Sequence, residues 1–350
     1  MNLPIKHTNT KNLLIWAFDP NKKPENAKTI IKELKLWAKH LHCDIQPVSV
    51  FSRSAIAYPL ELAFSTVNDF KSEAKKKADQ YLKKSGVKGF LPVEIIYINS
   101  QSNLKMAKEV TSFAERKNAL LIIANTHAKK TWNPFQIGGF AETLTENSKI
   151  PVLLLNPTTI VSSKIPTILY PTNFSAESKT DLLKQVGPIA KSFNSQVLLF
   201  TQVETPNVYP AEFYGAWRNE AYNMESMVEN IEKNRMKKAK QWLSISQKNN
   251  LNCLALVQRQ KTNLADEIIS VAKKNKANLI VLTNHNPTKK QKTLSRVVKD
   301  VLVQAKCPVL IFARPKEKEK HILKISSVNN FPKYITQKNA NQQSREVSHA

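Results

Sequence analysis

Short apolar runs alternate with longer amphipathic stretches along most of the chain. Leu13 to Phe18 (LLIWAF) is apolar without interruption, Pro24 to His40 carries Ile30, Ile31, Leu34, Trp37 and Ala38 at helical spacing, and Ile45 to Phe51 is again largely apolar. The pattern predicts a strand, a helix and a strand. It continues with a helix from about Leu60 to Lys84, a strand over Val93 to Ile98, and a helix over Leu104 to Arg116 with Leu104, Ala107, Val110 and Ala114 on one face. A strand over Leu120 to Ala124, a helix over Phe140 to Asn147 and a strand over Val152 to Leu155 complete the series. Strands apolar on both faces, in the order βαβαβαβαβ, call for a parallel sheet covered by helices on each side. Ligands of such sheets bind beyond the carboxyl ends of the strands.

The series then repeats. NALLIIANTHAKK from Asn118 matches NLIVLTNHNPTKK from Asn278; each is followed by a Pro-Val-Leu run, KIPVLLLNP from Lys149 and KCPVLIFARP from Lys306. LIWAFDPN from Leu14 corresponds to ILYPTNFS from Ile168, and SNL from Ser102 to TNL from Thr262. Four anchors in one order indicate a tandem duplication of domain-sized units. The expected division is residues 1–157, a polar linker, residues 164–315, and a basic tail over 316–350 whose composition is that of a disordered segment.

Composition changes this picture in three ways. Lys and Arg outnumber Asp and Glu by 53 to 27, a net charge of +26, which favours a polyanionic partner such as nucleic acid, nucleotide or an acidic membrane surface; nucleic acid is expected to bind weakly and without sequence preference. The lysines are spread along the chain, which is also what solvated helix faces carry. The three cysteines, Cys43, Cys253 and Cys307, form no Cys-x-x-Cys pair and suggest a reducing compartment. No apolar run reaches the roughly 18 to 20 residues of a membrane span and no signal peptide is legible, so the expected location is the cytoplasm.

Two strand ends carry candidate chemistry. Asp19 follows the first strand, where a carboxylate can accept hydrogen bonds from a ribose or a base. Gly138 and Gly139, two of only six glycines, open the helix that follows the loop from Asn125; unpaired amides at a helix start favour phosphate. The alternative is that Asp19 begins a turn with Pro20 and the glycines permit close helix packing. His40, His42 and Cys43 offer metal donors, but they stand at a helix end and no metal site is assigned. No Walker loop, G-x-S-x-G elbow or H-E-x-x-H pair is present, and no catalytic residue is assigned.

Together, LIWAFDPN, Asn125-Thr126-His127-Ala128, GGFAE from Gly138 and KIPVLLL resemble the universal stress protein family over nearly all of residues 10–315. The resemblance implies two tandem α/β units, each an open, mostly parallel five-stranded Rossmann-like sheet. It also implies that Val152 to Leu155 and Val309 to Phe312, the strands after Pro-Val, pair as an internal pseudo-dimer. It further implies a stress-response regulatory protein, rather than a catalyst, that binds ATP or a related adenine nucleotide, with magnesium if ATP. Asp19, Asn125, His127, Ala128, Gly138 and Gly139 would form the site. Asn125 and Ala128 replace family glycines, which weakens it. In the second unit Asn173 replaces the aspartate, the loop from Thr283 to Arg296 has no glycine and Pro287 removes an amide, so that site is expected to be degenerate. The rival reading is a scaffold or polyanion-binding protein acting through its basic surface.

Overall fold

The β-branched and aliphatic runs form ten strands, and the amphipathic stretches between them form nine α-helices among the described residues. The structure, a computed structural model, describes residues 12–21, 23, 27–52, 67–100, 102–126, 139–156, 159–204, 218–284 and 294–313. The first unit contains β1 (Asn12–Ala17), α1 (Ala27–Leu41), β2 (Cys43–Ser52), α2 (Val67–Lys84), β3 (Glu94–Ile98), α3 (Asn103–Arg116), β4 (Leu121–Asn125), α4 (Gly139–Asn147) and β5 (Val152–Leu155). The second contains β6 (Thr167–Pro171), α5 (Ala176–Asp181), a π-helical turn (Leu182–Val186), α6 (Gly187–Phe193), β7 (Gln196–Val203), α7 (Arg218–Lys248), β8 (Cys253–Arg259), α8 (Leu264–Lys274), β9 (Leu279–Asn284), α9 (Arg296–Gln304) and β10 (Val309–Ala313). Strand edges differ from the sequence reading by one or two residues, and Val152 to Leu155 coincides with it. The expected tail over 316–350 lies outside the described residues.

The strand order β3-β2-β1-β4-β5-β10-β9-β6-β7-β8 is the same in both halves, read outward from the centre. All pairs are parallel except the central one. There β5 and β10 run antiparallel, with Val309 opposite Leu154, Leu310 opposite Leu153 and Ile311 opposite Val152. The edge expected to pair within the chain does so, fusing two five-stranded sheets into one of ten strands.

Pro47 sits inside β2, a position that normally excludes proline because it removes a ladder donor. The carbonyl of Ile45 accepts from Leu91 on the β3 side and that of Val48 accepts from Phe18 on the β1 side, so the alternation turns the nitrogen of Pro47 toward β3. The regular ladder with β3 starts at Val48 opposite Glu94, just past Pro47.

Alternation along the strands separates the core into two layers. Leu14 and Trp16 of β1 face a cluster built from α1, α2, the α5–α6 segment and α7. Ile15 and Ala17 face another built from α3, α4, α8 and α9. Corresponding left-handed residues follow the helices in each unit: His42 and Asn194 after α1 and α6, Gly86 and Asn250 after α2 and α7, Asn118 and Lys276 after α3 and α8. The duplication thus extends to the turn conformations. The histidine pair near Cys43 has a structural place: His42 ends its helix, and His40 stacks on Phe193 with its Nδ1 2.9 Å from the carbonyl of Ser192, joining the two units.

Candidate functional site

Parallel pairing of β1 with β4, Trp16 opposite Ile123, brings the segments that follow both strands to the same sheet edge. Asp19 closes an Asx turn there, its Oδ1 accepting from the backbone N–H of Asn21 at 2.9 Å and from the Asn21 side-chain amide at 2.9 Å. The carboxylate is exposed. Asn125 is the exposed last residue of β4. Thr126 behind it is buried and donates from Oγ1 to Oδ1 of Asn156 at 2.5 Å. Gly139 is the first residue of α4. His127, Ala128 and Gly138 lie outside the described residues, so three of the six expected positions, Asp19, Asn125 and Gly139, are described.

Gly139 lies against a neighbouring helix start. A Cβ there would stand 2.6 Å from the side-chain nitrogen of Asn103, the first residue of α3. The start of α3, with its exposed amide side chain, therefore lies against the start of α4. Ser102, the N-cap of α3, makes no side-chain capping bond. Helix starts left uncapped present orphan N–H groups and positive dipole ends to a ligand.

The second unit closes the corresponding helix starts with its own side chains. Ser175 accepts from the N–H of Ser178 at the start of α5 at 3.2 Å, Asn263 from that of Asp266 at α8 at 3.0 Å, and Ser295 from that of Val298 at α9 at 3.3 Å. Asn173, the counterpart of Asp19, makes the same kind of turn, with Oδ1 accepting from the N–H of Ser175 at 3.0 Å and from Oγ of Ser178 at 3.1 Å. Its carbonyl accepts from the Arg235 guanidinium of α7. Phe174 follows at a φ of 55°, rare for a bulky residue, with its ring packed edge-on against Trp242. Beneath the turn, Tyr170 donates to the carbonyl of Ser178 at 3.2 Å, and burial, reinforced by Asp181, pushes its phenol above the usual range. The polar groups of this turn are bonded within the unit.

Sequence reasoning missed Asn103, Arg235 and the Thr126–Asn156 pair as neighbours of the site. Asn103 was visible as a repeat anchor in SNL and TNL; nothing local marked Arg235, which reaches Asn173 from 62 residues away. No group of three or more His, Cys, Asp or Glu able to hold a metal occurs among the described residues. No helix among them is long and apolar enough to cross a membrane.

Residues 164–313 match the model of the universal stress protein family. No curated protein sequence matches the chain. Among solved structures, a universal stress protein from Archaeoglobus fulgidus DSM 4304 superposes with a TM-score of 0.56 at 11% identity, over 87% of this chain and 96% of that one. A functionally unknown protein from Pseudomonas aeruginosa PAO1 superposes with a TM-score of 0.53 at 12% identity, over 87% of this chain and 92% of that one. At these identities the superpositions speak for the fold, and the family match is confined to the second unit. The second unit thus matches the universal stress protein model, and both units together share the fold of a solved universal stress protein.

Proposed function

We propose that the protein is a stress-response regulator whose first unit binds an adenine nucleotide, and whose second unit has lost that capacity. The observation that carries this reading is the inequality of the helix starts. In the second unit the starts of α5, α8 and α9 are capped by Ser175, Asn263 and Ser295. In the first, α3 lacks a side-chain cap bond and α4 begins at a glycine against Asn103. Backbone N–H groups at such starts suit phosphate oxygens. The exposed Asp19 carboxylate supplies an acceptor for ribose or base hydroxyl and amino groups, and Asn125 lies at the end of the adjacent strand. His127, Ala128 and Gly138 complete the proposed set. The nucleotide would bring its own magnesium if it is ATP.

Mass spectrometry of small molecules released from denatured protein, followed by calorimetric titration with ATP, tests this reading. Binding is expected in the native chain. Asp19→Ala should weaken it by about 1–3 kcal/mol, the magnitude of a lost hydrogen bond to a charged group, and Asn173→Ala should leave it unchanged. Absence of adenine-nucleotide binding at millimolar concentration, or a larger effect at Asn173 than at Asp19, overturns the proposal.

A further inference from the structure

Among the described helices, positive charge is gathered on one side of the sheet. Over the residues whose side chains are described, the layer of α1, α2, the α5–α6 segment and α7 carries nineteen Lys and Arg against eight Asp and Glu. The layer of α3, α4, α8 and α9 carries seven of each. The acids of the basic layer are partly withdrawn from its surface: Glu33 and Asp181 are buried, and Glu225 and Glu232 are bound by Arg259 of β8. On α1, Lys28, Lys32, Lys35 and Lys39 are all exposed and recur at intervals of four, three and four residues, so they form one stripe about 16 Å long at a rise of 1.5 Å per residue. Lys75, Lys76 and Lys83 are likewise exposed on α2.

We infer that this layer is a docking face for the phosphate backbone of double-stranded nucleic acid. A broad face of lysines neutralises closely spaced phosphates and releases their counterions, whatever the base sequence. Single strands are held by stacking on exposed aromatic rings, and the described rings of this layer, Trp37, Tyr81, Phe193 and Trp242, are buried. A membrane surface calls for apolar insertion beside the charge; the exposed large apolar side chains described on this layer are Met227 and Met236, both on α7. Charge complementarity with a duplex is what the layer presents. The inference is independent of nucleotide binding at the first unit, since the stripe on α1 projects from a helix face and not from the strand ends.

Fluorescence anisotropy of a labelled duplex of about 30 base pairs, titrated with the full chain over a series of salt concentrations, tests the inference, since each neutralised phosphate contributes about 0.9 to the logarithmic salt slope. Replacing Lys28, Lys32, Lys35 and Lys39 together by Gln should weaken binding at least tenfold at low salt and lower the slope by about 2 or more. Replacing Lys105, Lys108, Lys273 and Lys274 of the opposite layer removes the same charge and should change affinity less than about twofold, as expected if the duplex touches only the first layer. Circular dichroism establishes that both variants fold. The inference is overturned by equal losses in the two variants, by an unchanged affinity in both, by no duplex binding in the native chain, or by binding to phosphatidylserine vesicles without binding to the duplex.

Discussion

Asn156 shows how one side chain can hold two units together. It stands just past β5, yet its side-chain amide donates to the carbonyls of Leu302 and Ala305 at 2.6 and 2.8 Å, closing the end of α9 in the other unit, while its Oδ1 accepts from Thr126. Asn156→Ala would strand these buried groups, and a loss of about 2–4 kcal/mol in a urea unfolding experiment is expected. Glu33 is the other buried polar residue with a measurable signature. It is 1% exposed on α1, accepts from the indole of Trp37 at 2.7 Å, and burial pushes its carboxyl up to about 7. The folded state therefore holds a proton that the unfolded chain releases near pH 4.5. Stability should fall as pH rises from there to about 7 and level off above, a change of about 3 kcal/mol at 1.36 per pH unit. Glu33→Gln keeps an acceptor for Trp37 and cannot ionise, so its unfolding midpoint should lose this slope and exceed that of the native chain at pH 8. Glu33 was partly legible, because Ile30, Glu33 and Trp37 share a helical face. Asn156 was not, because an Asn before Pro reads as a turn and its partners lie about 150 residues away.

At the scale of elements, the central strands were legible because both their faces are buried, leaving apolar runs, and the β5–β10 joint was legible through the family resemblance, an apolar edge needing cover. The roles of the helix starts were not, since capping depends on which side chain turns back to the backbone. Ser102 before α3 and Ser295 before α9 are the same residue type, and only Ser295 makes the capping bond. Gly139→Ala separates packing from binding at one such start. The new methyl meets the end of the exposed Asn103 side chain, which can swing away, and alanine favours the helix. Stability should change by less than about 1 kcal/mol, while ATP affinity measured by calorimetry should fall as Asn103 is displaced. An unchanged affinity would remove Asn103 and Gly139 from the proposed site. Across the centre, Lys299 of α9 pairs with Glu142 of α4, and Glu146 of α4 accepts from the N–H of Leu294 at 3.0 Å. The helix that opens at the candidate site is thereby tied to the other unit.

For the whole molecule, chain order conceals the charge pattern. The helices of the basic layer are interrupted in sequence by α3 and α4 and followed by α8 and α9, so the basic stretches lie apart in sequence, and the segregation emerges only when crossovers send successive pairs of helices to opposite faces. The same topology bears on synthesis. The edge of β5, four buried apolar residues long, is complete well before its partner β10 is made. At roughly 5–20 residues per second, the intervening 150 or so residues leave that edge open for about 10–30 s on each ribosome. Neighbouring nascent chains on one message carry the same edge, and antiparallel pairing admits a second copy of β5 in place of β10. The joint that completes the finished molecule is thus also where two unfinished ones can be mistaken for each other, and the brevity of the strand limits how firmly such a mispaired intermediate holds.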